Sequence, residues 1–372
     1  MSKKMLISGG AGFIGSHLCD KLLENGYSVR VLDNLSEQVH GAGCERPVYL
    51  HNDVELIKGD VRDKEAVKKA LKGIDVVYHF AASVGVGQSM YEIASYTEVN
   101  NLGTAVFLEA LVENPVEKLV VASSMSVYGE GLYLNSHGEY VSGFERSISD
   151  LKKGRWELYD VNGEQLQPVP TNESKQPVLG SVYALSKYDQ EQMSLMIGRA
   201  YNIPVVALRF FNVYGTRQSL SNPYTGVLAI FASRFLNEKP PVIFEDGNQK
   251  RDFVHVKDVA RACVLAGEAG KGNGHVINIG SGNEYTINFI AEKLAEVMGK
   301  KHIRPDLTGK YRAGDIRHCF ADTERARELV GFTPEVELED GLAELAQWLE
   351  GQEAYDKVDL AGQELLKRGL AI

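Results

Sequence analysis

Apolar residues in the first third of the chain fall in short unbroken runs more than in strict alternation. Residues 4–8 (KMLIS), 28–32, 54–58, 75–80 and 118–122 each read as a strand. Runs of this kind suit strands buried on both faces, whereas alternation marks a sheet with one wet face. Between them, residues 16–25, 64–71 and 90–114 read as amphipathic helices. Strand, helix, strand at short spacing predicts an α/β fold: a doubly wound parallel sheet of the Rossmann type, with helices on both faces. Ligands bind such sheets beyond the carboxyl ends of the strands. Residues 36–53 are polar and irregular and read as a long loop.

The second half continues the pattern. Residues 187–201 are strongly helical, 205–209 form a sixth strand and 275–279 a last one. Residues 226–237, 258–266, 287–298, 323–329 and 338–349 read as helices, and 241–245 and 251–256 as short strands. This predicts a first domain over 1–212 plus 257–283 and a smaller α/β substrate domain over 213–256 plus 284–350, with a charged tail, 351–372, that carries no motif. Residues 130–182 separate Gly129 from Tyr183 and interrupt the first domain. Within them, 156–166 alternate around Asn162-Gly163, a strong hairpin signal. Pro168, Pro170 and Pro177 keep the return limb extended. Residues 130–174 therefore read as a surface insertion over the mouth of the site, or as a lid that shapes it.

Composition narrows the partners more than the fold. The 372 residues are 44% hydrophobic and 24% charged, as in ordinary globular proteins, and the length suits two domains. A net charge of −10 argues against nucleic acid and anionic membranes as partners, while leaving room for a local basic pocket. The four cysteines (Cys19, Cys44, Cys263, Cys319) are scattered, so neither a disulfide framework nor a zinc site is indicated. His40, Cys44 and His51 lack a fourth ligand, and no metal is expected. The N-terminus is charged and then apolar for too few residues to be a signal peptide, and no apolar run approaches the ~20 residues that span a bilayer. The expected location is the cytoplasm.

The candidate chemistry lies at strand ends. Gly9, Gly12 and Gly15 follow the first strand and open a helix, as a dinucleotide pyrophosphate requires: a tight turn, close backbone approach and free N–H groups at a helix N-terminus. Asp33 ends the second strand, 24 residues after Gly9. A carboxylate there hydrogen-bonds both ribose hydroxyls of NAD and would repel the 2′-phosphate of NADP, so NAD is the expected cofactor. Phe13, Ile14, Asn34, Val61, Phe80, Asn100 and Ser123 are further candidate cofactor contacts, with Tyr183 and Lys187. Asp60 either meets the adenine or caps the next helix, and Ala81 and Ala82 let a cofactor pass close to the backbone. Ser124 ends the fifth strand, where a serine serves as a ligand contact or as a cap. Tyr183 precedes Lys187 by four residues, so phenol and ammonium share one helix face. Alone, that spacing is weak evidence, because chance helix-surface pairs of these common residue types recur often. As chemistry, a base near pH 7 needs about 4 kcal/mol of phenolate stabilisation, which a nearby ammonium and a cationic nicotinamide supply.

Together, the glycines at 9, 12 and 15, Asp33, Ser123-Ser124 ahead of Val127-Tyr128-Gly129, and Tyr183-x-x-x-Lys187 resemble the extended short-chain dehydrogenase/reductase family. Residues 209–215 (RFFNVYG), 251–256 (RDFVHV) and 311–315 (YRAGD) narrow the likeness to sugar-nucleotide 4-epimerases of the UDP-galactose 4-epimerase type, over residues 5–349. Residues 123–132 (SSMSVYGEGL), 217–234 (RQSLSNPYTGVLAIFASR) and 314–322 (GDIRHCFAD) are similar to the dTDP-L-rhamnose 4-epimerases.

The resemblance implies that Tyr183 takes the proton from the sugar O4, Lys187 lowers its pKa and holds the nicotinamide ribose, and Ser124 bridges phenol and substrate. It implies a retained NAD that accepts and returns the C4 hydride through a 4-ketosugar, converting dTDP-L-rhamnose to dTDP-6-deoxy-L-talose. Asn212, Arg251, Arg312 and Asp315 would hold the nucleotide sugar, the guanidinium forks matching diphosphate oxygens. His255 is expected to be structural. A homodimer through 90–114 and 187–201 is also implied. The family's 4,6-dehydratases carry Asp-Glu before Val-Tyr-Gly; Met125-Ser126 stand here, which argues against dehydration. The alternatives are a UDP-hexose (UDP-glucose or UDP-glucuronate) 4-epimerase, a reductase or dehydrogenase that releases its cofactor, and a non-catalytic NAD-binding regulator. Intact Ser124, Tyr183 and Lys187 argue against the regulator.

Overall fold

The structure is a computed structural model that describes residues 2–312 and 314–371. Its centre is a seven-stranded parallel sheet: β1 Lys4–Ser8, β2 Ser28–Asp33, β3 Glu55–Lys58, β4 Val76–His79, β5 Lys118–Ser124, β6 Val205–Phe210 and β7 Val276–Ile279. The spatial order is β7-β6-β5-β4-β1-β2-β3. β1 lies between β2 and β4, with Ser8 opposite both Leu32 and His79. Every residue of β4, β5 and β6 is buried, which explains their unbroken apolar runs.

Alternate side chains of the sheet feed two cores. Ile7, Val31, Val120 and Leu208 pack on one face with Leu18 and Leu22 of α1 (Phe13–Glu24) and with Val259 and Cys263. Leu6, Val77, Leu119 and Ala207 pack on the other with Val67 and Leu71 of α2 (Lys64–Leu71), Phe107 and Leu111 of α3 (Gly103–Glu113) and Leu195 of α4 (Val182–Tyr201). Each fully buried Leu, Val or Phe stabilises the fold by about 1.5–3 kcal/mol relative to exposure. A third core joins α5 (Val227–Leu236), α7 (Ile287–Val297) and α9 (Leu338–Leu349) around Phe253 and Ile243. Helix α6 (Val256–Glu268) returns the chain to the central sheet, and α8 (Glu324–Val330) packs near β7.

Several elements depart from the sequence reading. Helix α1 begins at Phe13 rather than Ser16, and α4 at Val182 rather than Lys187. The 36–53 loop contains one helical turn, Glu37–His40. Residues 90–114 are not one helix: Ile93–Tyr96 runs into a π-helical turn, Thr97–Leu102, before α3. The wider turn carries a fully buried Asn100.

Residues 251–256 break at Asp252 into Lys250–Arg251 and Phe253–His255. The buried Asp252 carboxylate accepts the N–H groups of Ser281, Gly282 and Ala321, a tertiary tie with no local signal. The strand expected at 241–245 shrinks to Val242–Ile243.

The insertion is more embedded than its polar composition suggests. Leu132–Leu134 is the middle of a three-stranded antiparallel sheet with Tyr140–Ser142 and Gln167–Val169. The hairpin expected at 156–166 reduces to one bridge, Tyr159 with Gln165, closed by Asp160 accepting from the Asn162 and Glu164 N–H groups. Its apolar residues Leu158 and Leu166 turn inward onto Tyr133 instead. The tail, expected to carry no motif, forms α10 (Val358–Lys367), with Ala361 and Leu365 buried.

Candidate active site

Strand order reverses between β1 and β4, and a crevice opens at their carboxyl ends. Gly9, directly after β1, has a left-handed φ of +73°. A Cβ there would stand 2.9 Å from the backbone of Ala81, just beyond β4, so glycine alone allows the approach. At Gly15 a Cβ would come within 2.6 Å of Gly10, so the turn and α1 pack backbone on backbone. Gly12 caps α1 without a side-chain bond, and no acidic residue stands in the first turn, which leaves that N-terminus open to an anion. Phe13 and Ile14 start the helix, half-buried.

Asp33 ends β2 and is buried. Its Oδ2 accepts the Ala11 N–H at 3.0 Å and its Oδ1 the Leu35 N–H at 2.9 Å. Both oxygens are thus fixed across the Gly-rich turn with lone pairs to spare for a ribose. A cleft of about 400 Å³ beside it is lined by Asn34, Leu35, Ser36, Glu37, Cys44 and Lys58. Asn34 donates to Asp60 at 3.2 Å. Arg62 grips Asp60 through side chain and backbone at 2.9 Å and holds its carboxyl down at about 2. Asp60 is not the cap of α2; Asp63 is, accepting from Glu65 and Ala66. Val61 packs at the head of α3 against Gly103. Phe80 stands edge-on to Tyr78 and Phe210, and Ala81 and Ala82 are half-buried at the crevice.

Two expected cofactor contacts face inward. Asn100 accepts from the Ser83 N–H at 2.7 Å and donates to the Ser83 carbonyl and to Ser186 Oγ, bracing the loop after β4 against α4. Ser123 donates to Glu191 at 2.7 Å.

Ser181 caps α4 by accepting the Ala184 N–H, so Tyr183 lies in the first turn and Lys187 one turn on. The Tyr183 N–H donates to Ser89 Oγ at 3.0 Å. Burial raises the Tyr183 phenol above its ordinary value, against a lowering by the hydroxyl of Ser124. Ser124 ends β5, and its Oγ accepts the Ser126 N–H at 3.1 Å, so it is also the cap of the turn Met125–Tyr128. Lys187 is buried, donates to Gln190 Oε1 at 2.7 Å, and is drawn down to about 7 by burial, with Glu191 working the other way. One N–H of the ammonium is thus taken by Gln190, one turn along α4 from the Tyr183 turn. Gln190 and Glu191 escaped the sequence reading, although they lie three and four residues past Lys187, at helical neighbour spacing. Ser89, 94 residues from Tyr183, gave no local signal.

Among the substrate candidates, Asn212 has a buried Oδ1 with no partner among the described residues. Arg312 forms a fork onto Asp315 at 3.1 and 2.9 Å and lies 4.6 Å from the Phe244 ring, with its side chain 41% exposed. Asp315 is the ion-pair partner of Arg312. Arg251 is also not free: it donates to the carbonyls of Lys250 and Arg317 at 2.9 Å and to that of Ile316. His255 is buried, accepts the Lys257 N–H at the start of α6 and stands edge-on to Tyr214.

An open sheet with a crevice at its switch point, a Gly-rich turn and an acidic residue ending β2 define a dinucleotide-binding protein. The sequence matches the NAD dependent epimerase/dehydratase family over residues 5–147 and 157–280. It is 36% identical over 357 residues to a dTDP-L-rhamnose 4-epimerase of Burkholderia thailandensis, covering 93% of this chain and 95% of that one. Among solved structures it is similar to a UDP-N-acetylglucosamine 4-epimerase of Methanobrevibacter ruminantium in complex with UDP-N-acetylmuramic acid (31% identity, TM-score 0.77, 95% and 99% of the two chains). It is likewise similar to a UDP-glucuronic acid 4-epimerase of Bacillus cereus in complex with UDP-glucuronic acid and NAD (30% identity, TM-score 0.76, 93% and 99%). The chain belongs to the NAD dependent epimerase/dehydratase family, as an enzyme whose cofactor is NAD. Among the described residues, no helix is long and apolar enough to cross a membrane.

Proposed function

We propose that this enzyme inverts C4 of a sugar nucleotide, converting dTDP-L-rhamnose to dTDP-6-deoxy-L-talose, and retains its NAD between turnovers. The observation that carries the reading is Tyr183 and Lys187 one turn apart at the head of α4, which packs on β5 and on the turn Met125–Tyr128 that Ser124 caps. Gly9, Gly12 and Gly15 would cradle the pyrophosphate, and Asp33 the adenosine ribose. The bound cofactor supplies reversible hydride acceptance. Tyr183 takes the O4 proton and returns it, with the Ser124 hydroxyl holding O4 against the phenol. An unperturbed phenol already needs about 4 kcal/mol of help to ionise near pH 7 and burial adds to that, so proton removal is tied to positive charge in the crevice. Lys187, near its own midpoint at about 7, contributes while it stays protonated.

The second lobe, residues 213–256 with 284–350, would hold the nucleotide sugar. Asn212, with its unpartnered Oδ1, and Arg312 are the groups best placed to meet the diphosphate, and Arg251 shapes that wall through its carbonyl contacts. At 125–126, Met and Ser supply no carboxyl group for water elimination, which favours epimerisation over dehydration. The dTDP sugar is favoured by the Burkholderia relative, and the UDP sugars of the two structural neighbours define the competing substrates. A homodimer through 90–114 and α4 accords with the exposed Ile93, Leu102, Leu185 and Met196.

The test is turnover by purified enzyme without added cofactor, on dTDP-L-rhamnose beside UDP-glucose and UDP-glucuronate, with products read by NMR. A C4-inverted dTDP sugar, lost in Tyr183→Phe while nucleotide binding persists, is expected. Reaction of a UDP sugar alone would overturn the substrate. Turnover only with stoichiometric NAD(H) would replace the epimerase with a dehydrogenase.

A further inference from the structure

Behind Lys187 runs a file of buried polar side chains that the chemistry above leaves unused. Lys187 Nζ donates to Gln190 Oε1 at 2.7 Å, and Gln190 Nε2 donates to Thr104 Oγ1 at 2.7 Å. Thr104 Oγ1 meets His79 Nε2 at 2.9 Å, and His79 Nδ1 meets Ser8 Oγ at 2.8 Å. Ser8 Oγ also accepts the N–H groups of Phe80 and Ala81 at 3.2 and 3.4 Å. None of the five side chains belongs to a residue more than 3% exposed, and they come from β1, β4, α3 and α4. Buried polar groups in this number are tolerated only when each is satisfied.

Donor counting gives the file a direction. Ser8 already accepts two N–H groups, so its own O–H goes to His79 Nδ1. His79 Nε2 then carries the proton and donates to Thr104, so the imidazole is neutral. Burial, with Lys187 next to it, holds His79 down at about 3, in keeping with that state. The file ends on the backbone of Ala81, the same backbone that stands 2.9 Å from a Cβ at Gly9.

We propose that Gln190 is a positioning residue for Lys187: through Thr104, His79 and Ser8 it fixes the ammonium relative to the Phe80–Ala81 wall of the dinucleotide crevice. This rests on Lys187 acting beside the Tyr183 phenolate. A neutral amide orients the ammonium without cancelling its charge and leaves two of its three N–H bonds to face phenol and cofactor. The nearest carboxylate, Glu191, is already gripped by Arg209 and Ser123. The titratable groups around Lys187 are Tyr183 and Glu191 on its own helix and His79 on β4.

The experiment measures kcat against pH for wild type, Gln190→Leu, Gln190→Glu and Thr104→Val, and follows the Lys187 Cε resonance by NMR titration of lysine-labelled, NAD-loaded protein. Gln190→Leu is expected to lower kcat about tenfold with KM within about twofold, and to move both the alkaline loss of kcat and the Lys187 titration down by about one pH unit, because the ammonium loses its acceptor. Gln190→Glu restores an acceptor and moves the titration up; Thr104→Val shifts it down by less. A Gln190→Leu enzyme whose Lys187 titration stays in place, whether kcat is unchanged or falls only with thermal stability, overturns the proposal. If Gln190→Leu does not fold, the Thr104→Val titration decides by the same criterion. Absence of C4 inversion by the wild type would overturn the epimerase reading instead, and the Lys187 titration would still decide this one.

Discussion

Glu191 is fully buried, and Arg209 holds its carboxylate through Nε at 2.9 Å and Nη2 at 2.7 Å while Ser123 adds a third bond at 2.7 Å. The Arg209 guanidinium also lies 4.6 Å from the Tyr128 ring. One helix residue thus ties β5 to β6 directly beneath Ser124. Removing one partner of a buried pair leaves the other charge desolvated, which costs about 3–5 kcal/mol. Glu191→Ala should lower the urea-unfolding free energy by that amount, and Glu191→Gln by less, since an acceptor remains. An unchanged midpoint for the alanine variant would mean that Arg209 finds water or another anion. Glu191 went unread in the sequence although it follows Lys187 by one helical turn, because Arg209 comes from the next strand and no local pattern announces a pair made across elements.

What could be read in advance at the level of elements follows the same division. β1 and α2 match the predicted bounds, because an unbroken apolar run and a capped amphipathic helix are local signals. Gly9, Asp33, Ser124 and Tyr183 could be named as candidates because strand ends and helical spacing are local signals. The insertion's small sheet, the π turn under Asn100 and α10 were not, because each is stabilised by distant partners. Helix α10 shows this well. Arg234 on α5, buried itself, reaches Asp356 at 3.0 Å and Asp359 at 2.8 Å, and the Asp356 side chain is 2% exposed. Leu365 packs near Gly87, and Arg368 lies 4.5 Å from the Tyr91 ring. Arg234→Ala leaves Asp356 with Lys239 as its remaining cation, which is half-exposed. The expected cost is about 3 kcal/mol, confined to the tail. Hydrogen exchange should then speed up about 100-fold across residues 354–371 while the central sheet stays protected. Equal acceleration in β5 would show that the tail and the core open together.

Across the whole molecule, a network of buried charges joins the insertion to the second lobe. Arg317, 1% exposed, donates to Glu157 of the insertion at 2.9 and 2.5 Å, and to Glu245 at 3.0 Å and Asp246 at 2.6 Å in the second lobe. Arg146 of the insertion completes the ring through Glu245 at 2.8 Å, and His318 meets Glu157 at 2.9 Å. Burial works against the Glu157 carboxylate, but hydrogen bonds from His318 and Arg317 hold it down at about 2, from 4.5. A carboxyl group depressed in the folded state stabilises above its unfolded pKa and loses that contribution as pH falls through the folded one. The window is therefore from about 4.5 down to about 2, and the contribution at neutral pH is of the order of 3 kcal/mol. His318, lowered by burial, must charge in the same direction and adds to the acid loss. Glu157→Gln should be less stable than wild type at pH 7 by up to that amount, and the two should converge as the pH falls toward 2. Urea unfolding at stepped pH, with hydrogen exchange across residues 130–174, measures this. A difference that stays constant with pH would show that shape, not the charge on Glu157, fastens the insertion to the second lobe.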